Sequence, residues 1–179
     1  MDLHRYDEAW ELYPVQALSQ FVDSISTHGA TFLDLRRPGD FAGSHVPGAC
    51  SLPLRSLGTA TPSPFSDALV LESQWKELEA TFTPDCINAH DLLGKDVYVM
   101  CYVGDTARVA TSVLRAKGIQ AWSVRGGHEA LRSEVPSLQM SSLSRDLEKR
   151  DWLHVEDVDG RELRADSLVE GSEVVVGPP

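Results

Sequence analysis

The sequence predicts an α/β domain, with a parallel sheet covered by helices on both faces, followed by a small C-terminal β-rich appendage. Short apolar runs of strand length alternate with helical patterns and short turns, which is typical of a parallel sheet between two helical layers. The length of 179 residues and the 42% of hydrophobic residues suit one core of ordinary size. We therefore assign residues 1–133 to this domain and residues 134–179 to an acidic extension with a short helix and a hairpin.

The first predicted elements are one helix and two strands. Residues 15–28 place apolar side chains at helical spacing, and His28 followed by Gly29 supplies the cationic last turn and the glycine that end a helix. Residues 30–35 and 48–54 are short apolar runs between turn residues. Both runs predict buried strands.

An insertion at about residues 55–94 interrupts the alternation. It is rich in Ser, Thr, Pro and Gly as far as Leu69, which predicts a surface excursion that closes with a helix. The insertion could form one wall of a site or a docking surface. The remaining predicted elements are a helix at 71–82 within the insertion, a strand at 95–101, a helix at 106–118, a strand at 120–124 and a brief helix at 128–133.

Composition and charge exclude several classes of function. The net charge of −11 opposes binding to a phosphate backbone, which requires clustered Lys and Arg, so we expect no nucleic acid partner. No apolar run approaches the roughly 18 residues that a membrane span needs, so we expect no membrane partner. The acidic N-terminus resembles neither a secretory signal nor a transit peptide, which predicts a cytoplasmic location.

Cysteines and histidines are few and scattered. Cys50, Cys86 and Cys101 form no Cys-x-x-Cys pair and are too few for a disulfide framework, so we interpret at least one of them as a working thiol. The six histidines show no metal-ligand spacing among themselves or with the cysteines. The sequence therefore predicts no metal site.

Cys101 is the candidate nucleophile. It ends a predicted strand and precedes a helix, and sites in parallel α/β sheets form at the carboxyl ends of the strands. Backbone N–H groups of the intervening loop and the positive end of the helix can stabilise an anion there, so we expect a lowered thiol pKa. The alternative is a core cysteine, since free Cys is among the most buried residue types. The loop residues are Tyr102, Val103, Gly104, Asp105 and Thr106.

The sequence predicts a specific conformation, role or side-chain direction for three of the loop residues. Gly104 suits a loop that needs positive φ or a close approach of backbone to a ligand. Thr106 is expected to cap the following helix. Asp105 would oppose a bound anion, so we expect its side chain to point outward.

Further segments extend this pattern. The stretch "FLDLRRPGDFAGSHVPGA" spans residues 32–49, "CYVGDTA" begins at Cys101, and "RGG" spans residues 125–127. In this order and spacing they resemble the rhodanese, or sulfurtransferase, family over residues 15–133. That family has Asp-x-Arg, an acidic-aromatic pair, a His-hydrophobic-Pro-Gly-Ala turn, the active cysteine loop and a Gly-Gly before the last helix. The matching residues before the loop are Asp34, Arg36, Asp40, Phe41 and 45–49.

The resemblance implies a sulfurtransferase in which Cys101 attacks the outer sulfur of a donor such as thiosulfate, carries it as a persulfide and passes it to a nucleophilic acceptor. No cofactor is required. The implied partners are a small sulfur donor and a thiol or cyanide acceptor, or else a protein acceptor or partner enzyme. Near the site, Asp34 and His45 are interpreted as structural, and Arg36 is expected to pair with Asp40 or a neighbouring carboxylate.

Two positions of the cysteine loop depart from the family pattern. Many active members have a basic residue beside the cysteine or an Arg at the sixth loop position, where this chain has Tyr102 and Thr106. The loop is therefore less cationic, and we expect thiosulfate to be a poor donor. Arg125, which precedes the Gly-Gly pair, is the best candidate for the missing positive charge, with Arg108 as the alternative.

Two other functions stay open. A cysteine-loop phosphatase or arsenate reductase needs Cys-x5-Arg, so that an Arg grips a tetrahedral oxyanion, but position 107 is Ala and Arg108 comes one residue late. A non-catalytic regulatory module, or a sulfur relay acting with a partner enzyme, would bind its partner through the fold and the acidic tail. The missing loop cations favour this module, and the retained cysteine opposes it.

Overall fold

Five strands form the sheet at the centre of the protein. The computed structural model describes residues 7–135, so the predicted C-terminal appendage lies outside the described residues. The strands are β1 Glu11–Leu12, β2 Ala30–Asp34, β3 Cys50–Ser51, β4 Asp96–Met100 and β5 Ala121–Val124. Their order is β1-β5-β4-β2-β3, and every neighbouring pair is parallel. The predicted parallel α/β class is confirmed.

Helices cover both faces of this sheet. They are α1 Pro14–Thr27, α2 Pro38–Gly43, α3 Ala68–Thr81, α4 Pro84–Ala89, α5 Asp105–Ala116 and α6 Gly127–Glu134. Successive strand residues point to opposite faces, so Phe32 and Tyr98 pack with α1 and α6, whereas Leu33 and Val99 pack beneath α3 and α5. None of the helices in the described part of the chain is long and apolar enough to cross a membrane.

β3 is shorter than the predicted strand 48–54. Only Cys50–Ser51 pair with β2 as strand residues. The N–H of Leu52 still donates to the Asp34 carbonyl at 2.8 Å, but Pro53 has no N–H with which to extend the ladder. The strand therefore ends early, at the edge of the sheet.

The structure contains short elements that the sequence does not predict, and one helix begins earlier than predicted. The sequence does not predict β1, α2 or α4, because β1 has two residues and each of the two helices has six, fewer than the two helical turns over which a 3.6-residue period becomes visible. The helix predicted at 71–82 begins earlier, at Ala68. Its start is fixed by the Asp67 side chain, which accepts hydrogen bonds from the N–H groups of Leu69 and Val70.

A buried ion pair closes the carboxyl end of β2. Arg36 Nη2 lies 2.7 Å from Asp34 Oδ2 and also donates to the Ser44 carbonyl at 2.7 Å. The two side chains are only 3% and 0% exposed. Arg36 therefore pairs with Asp34, a neighbouring carboxylate, and not with Asp40, to which the Tyr102 hydroxyl donates instead.

We expect Arg36→Met to lower the free energy of unfolding by about 3 kcal/mol, because Asp34 would keep a buried charge without an opposite charge to balance it. Urea unfolding followed by tryptophan fluorescence measures this change. The control is Lys76→Met, which breaks an exposed pair with Glu72 and should leave the free energy of unfolding nearly unchanged. Similar losses in both variants would contradict a structural role for the buried pair.

Candidate functional site

Cys101 directly follows β4 at the carboxyl edge of the sheet, shortly before α5 begins at Asp105. Its Sγ accepts hydrogen bonds from the N–H of Gly104 at 3.1 Å and from the N–H of Ala107 at 3.4 Å. The N–H groups of Val103 and Thr106 also favour the thiolate. The structure thus surrounds the sulfur with four backbone donors at the positive end of a 12-residue helix.

Burial opposes this stabilisation of the thiolate. Cys101 is 1% exposed, and burial raises the pKa of its thiol, although the N–H groups lower it in part. Loss of water costs the charged form more than the backbone donors return. The expectation of a lowered pKa is therefore wrong.

The start of α5 depends on a glycine. Gly104 has a φ of +97°, a conformation that favours glycine, and it is the N-cap residue of α5. The expectation that Thr106 caps this helix is wrong, because Thr106 lies inside the first turn and is 3% exposed. Its backbone N–H lowers the pKa of the Cys101 thiol in part.

The first turn of α6 packs directly on the cysteine loop. The His128 N–H donates to the Cys101 carbonyl at 2.9 Å, and the Glu129 N–H donates to the Tyr102 carbonyl at 3.1 Å. A Cβ at Gly127 would lie 2.5 Å from the Cys101 carbonyl oxygen, which is too close for any side chain. The Gly-Gly pair noted in the sequence is therefore explained by a backbone-to-backbone contact.

His128 is a residue near the site that sequence analysis does not identify. Its Nε2 lies 2.9 Å from the Ser44 hydroxyl, and the Ser44 carbonyl accepts from Arg36. Burial, followed by the Arg36 charge, lowers the pKa of His128 to about 4, so the ring is neutral at pH 7. The adjacent Gly-Gly pair is the sequence signal that marks this position.

Tyr102 connects the cysteine loop to α2. Its hydroxyl donates to Asp40 and accepts from the N–H of Arg37 at 3.2 Å. Burial, followed by the hydrogen bond to Asp40, raises the pKa of Tyr102, so the hydroxyl keeps its proton. The residue that stands where many active family members have a basic residue therefore links the cysteine loop to α2 here.

A pocket opens beside Cys101. The insertion supplies residues 57–64 as one of its walls, which is one of the two roles expected of it. Asp105 is also among the residues that line the pocket. Arg37 packs against the wall, since a Cβ at Gly58 would lie 2.5 Å from its Nη2. The lining residues are Leu57, Gly58, Thr59, Thr61, Pro62, Ser63, Pro64, Cys101, Tyr102, Val103, Asp105 and Thr106.

The two arginines considered as sources of positive charge face other parts of the protein. Arg125 Nη1 donates to the Tyr13 hydroxyl at 2.9 Å, and its guanidinium lies over the Tyr13 ring. The Arg108 guanidinium lies 4.4 Å from the centroid of the Phe65 ring. Neither arginine is among the residues that line the pocket, because these aromatic side chains, distant in sequence, determine where the guanidinium groups lie.

The other predicted residues lie around turns and on the surface. His45 Nδ1 lies 2.8 Å from the Phe41 carbonyl, and the two rings stack at a centroid distance of 4.1 Å, which orients the turn after α2. Cys50 and Cys86 are free and partly buried, and burial raises the pKa of both thiols. Among residues 7–135, no three His, Cys, Asp or Glu side chains form a cluster suited to a metal ion.

A cysteine held in a ring of backbone N–H groups, at the carboxyl edge of a parallel sheet, defines a cysteine-loop α/β domain. The chain belongs to the rhodanese-like domain family, whose model matches residues 17–134. This match confirms the resemblance drawn from the sequence motifs. No curated protein is a significant match to the chain.

Several solved structures are similar to the chain at low sequence identity. A rhodanese-like domain protein from Staphylococcus aureus is 18% identical, with 68% of this chain and 89% of that chain covered and a TM-score of 0.44. A rhodanese-related protein from Thermoplasma volcanium is 17% identical, with 69% and 90% covered and a TM-score of 0.41. A protein of unknown function from Rhodopseudomonas palustris, described as a possible tyrosine phosphatase, is 15% identical, with 69% and 79% covered and a TM-score of 0.46.

We expect Gly127→Ala to destabilise the protein more than Gly94→Ala does. Both glycines have positive φ, +60° and +72°, so both substitutions introduce about 1–2 kcal/mol of backbone strain. A Cβ at Gly94 meets nothing within 4 Å, whereas a Cβ at Gly127 meets the Cys101 carbonyl, which adds about 1–3 kcal/mol of steric strain. Urea unfolding of the two variants measures the difference, and equal losses would contradict the close contact at the cysteine loop.

Proposed function

We propose that the protein is a sulfurtransferase that carries sulfane sulfur as a persulfide on Cys101. The observation that supports this most strongly is the set of backbone N–H groups around Sγ, two of which donate at 3.1 and 3.4 Å. Fixed backbone donors stabilise an anion at one atom without any side-chain charge. A persulfide anion on this cysteine would gain from the same donors and from the positive end of α5.

The proposed reaction has two steps. First, the Cys101 thiol gives its proton to solvent, and the thiolate attacks the outer sulfur of the donor. A bond forms between Sγ and that sulfur, the S–S bond of the donor breaks, and the leaving group departs with the electron pair, as sulfite does from thiosulfate. Second, a thiol or cyanide acceptor attacks the outer sulfur of the persulfide, and the Cys101 thiolate leaves.

The buried position of the sulfur suits a carrier of reactive sulfur. Because Cys101 is 1% exposed, a persulfide there would be shielded from solution, and only an acceptor that enters the pocket would discharge it. The acceptor is a small nucleophile or a cysteine presented by a partner protein. Free thiols persist in the cytoplasm, and we propose that the protein acts there without a cofactor.

A non-catalytic module is the second candidate, and the raised pKa of the Cys101 thiol favours it. A protonated, buried thiol is a weak nucleophile. Phosphatase chemistry has less support, because the position that would hold the anion-gripping Arg is Ala107 and the Arg108 guanidinium lies over the Phe65 ring.

Incubation with a sulfane-sulfur donor should add one sulfur atom to Cys101, and cyanide should remove it as thiocyanate. Intact-mass measurement, followed by mass analysis of the peptide that contains Cys101, detects both changes. Cys101→Ser should abolish the gain, while Cys86→Ser, which removes a more exposed thiol, should leave it unchanged. A wild-type protein that takes no sulfur from any donor would support the non-catalytic module.

Alkylation of Cys101 by iodoacetamide should accelerate about tenfold for each pH unit from about pH 7 to pH 9, because thiolate is the reactive form. Burial raises the pKa of this thiol, so the thiolate fraction is still rising with pH throughout this range. Peptide mass analysis of timed samples gives the rate separately for each cysteine. A rate that reaches a plateau below about pH 8 would show that the backbone donors outweigh burial.

A further inference from the structure

The pocket beside Cys101 has an acidic lining. Among the described residues that line it, Asp105 is the only one with a charged side chain. The others carry hydroxyl groups, aliphatic side chains, proline rings, a thiol or no side chain at all. The lining that a donor encounters therefore includes one acidic residue and no lysine or arginine.

The neighbouring cations do not cancel this charge inside the lining. Arg108 lies against Phe65, and Arg125 is held by Tyr13. Arg37 comes closer, because its guanidinium packs against Gly58, but it is not itself a lining residue. The positive charge of Arg37 can also act on a bound donor, so an Arg37 variant accompanies the test of Asp105.

The electrostatic environment of the Cys101 sulfur differs from that of the rest of a bound donor. The backbone N–H groups converge on Sγ, so they stabilise charge at the reacting sulfur. Asp105 is the first residue of α5, and its carboxylate offsets part of the positive field of that helix end. The part of the donor that remains in the pocket therefore meets repulsion whenever it is negatively charged.

We propose that Asp105 determines donor specificity by charge, so that the site takes sulfane sulfur from donors with at most one negative charge and selects against dianions. This inference rests on the proposed sulfurtransferase function. Organic thiosulfonates and organic persulfides belong to the accepted class, whereas thiosulfate belongs to the disfavoured class. Electrostatic energy is proportional to the product of the charges, so the repulsion between Asp105 and a dianion is twice that between Asp105 and a monoanion. If Asp105 slows the reaction of a monoanion by a given factor, it slows the reaction of a dianion by the square of that factor.

A charge series of three reagents tests this proposal on the full chain. Iodoacetamide is uncharged and reports the reactivity of the thiolate itself, benzenethiosulfonate carries one negative charge, and thiosulfate carries two. Both sulfur donors react by the same step, in which the Cys101 thiolate takes the outer sulfur and a sulfinate or a sulfite leaves with the electron pair. Mass analysis of the Cys101 peptide gives the rate for each reagent in the wild type and in Asp105→Asn.

The rates of Asp105→Asn, divided by those of the wild type, should increase with the charge of the reagent. Relative to iodoacetamide, we expect an additional gain of about threefold with benzenethiosulfonate and about tenfold with thiosulfate. Normalisation to iodoacetamide removes any general effect of the substitution on the thiol pKa. The matched control is Asp85→Asn, which removes the same charge from the first turn of α4 and should leave all three ratios equal.

The failures of the two proposals are distinguishable. If both donors load sulfur but Asp105→Asn changes all three rates by the same factor, charge selection by Asp105 is wrong and the sulfurtransferase function stands. If Arg37→Gln lowers thiosulfate loading while Asp105→Asn has no charge-dependent effect, the selection belongs to Arg37 and the proposal is overturned. If neither donor loads any variant, the sulfurtransferase proposal fails, and the specificity inference fails with it.

Discussion

The contact between the cysteine loop and the first turn of α6 is the constraint on which the site depends. Two carbonyls of the loop, those of Cys101 and Tyr102, accept hydrogen bonds from α6. With its carbonyls engaged on that side, the loop turns its N–H groups towards the sulfur. Glycine at 127 makes the approach sterically possible, and the positive φ of Gly104 turns the chain into α5.

The order of the strands brings α6 against the cysteine loop and also creates a second contact on the opposite side of that loop. β4 lies between β5 and β2, so the loop after β4 is flanked by the segments that follow both neighbours. On the β2 side, the Tyr102 hydroxyl donates to Asp40. A chain of hydrogen bonds then returns to the cysteine, from Asp34 and Arg36 through Ser44 to His128, whose N–H donates to the Cys101 carbonyl. Because His128 is neutral, this buried network contains a single balanced ion pair, which lowers its desolvation cost.

The longer elements of the fold could be predicted from the sequence because their signals are local. Apolar periodicity and terminal glycines identify α1, β2, β4, α5 and β5 within a few residues of their observed bounds. β1 escapes prediction because only two of its residues pair with β5. Its existence depends on a long-range contact with a strand more than 100 residues away.

The backbone arrangement of the candidate site could be predicted from the sequence, but the direction of its charged side chains and the pKa of its thiol could not. The position of Cys101 and the convergence of loop N–H groups follow from the strand-loop-helix order. The direction of the Arg125 side chain depends on Tyr13, which is 112 residues away in sequence, and the pKa of the Cys101 thiol depends on how completely the fold buries it. Both properties arise from tertiary packing, which leaves no periodic pattern in the sequence.

Backbone donors and arginine side chains recognise different parts of a ligand, and this difference decides what the pocket can select. The N–H groups at Gly104 and Ala107 act on the one atom within hydrogen-bonding distance, and they provide no counter-charge for a group farther out in the pocket. Recognition of the rest of the donor or acceptor therefore falls to Asp105 and to the wall formed by residues 57–64, which presents hydroxyl groups and proline rings. The chemistry at the sulfur therefore resides in the cysteine loop, whereas selectivity draws on two segments, the start of α5 with Asp105 and the long insertion that supplies the wall.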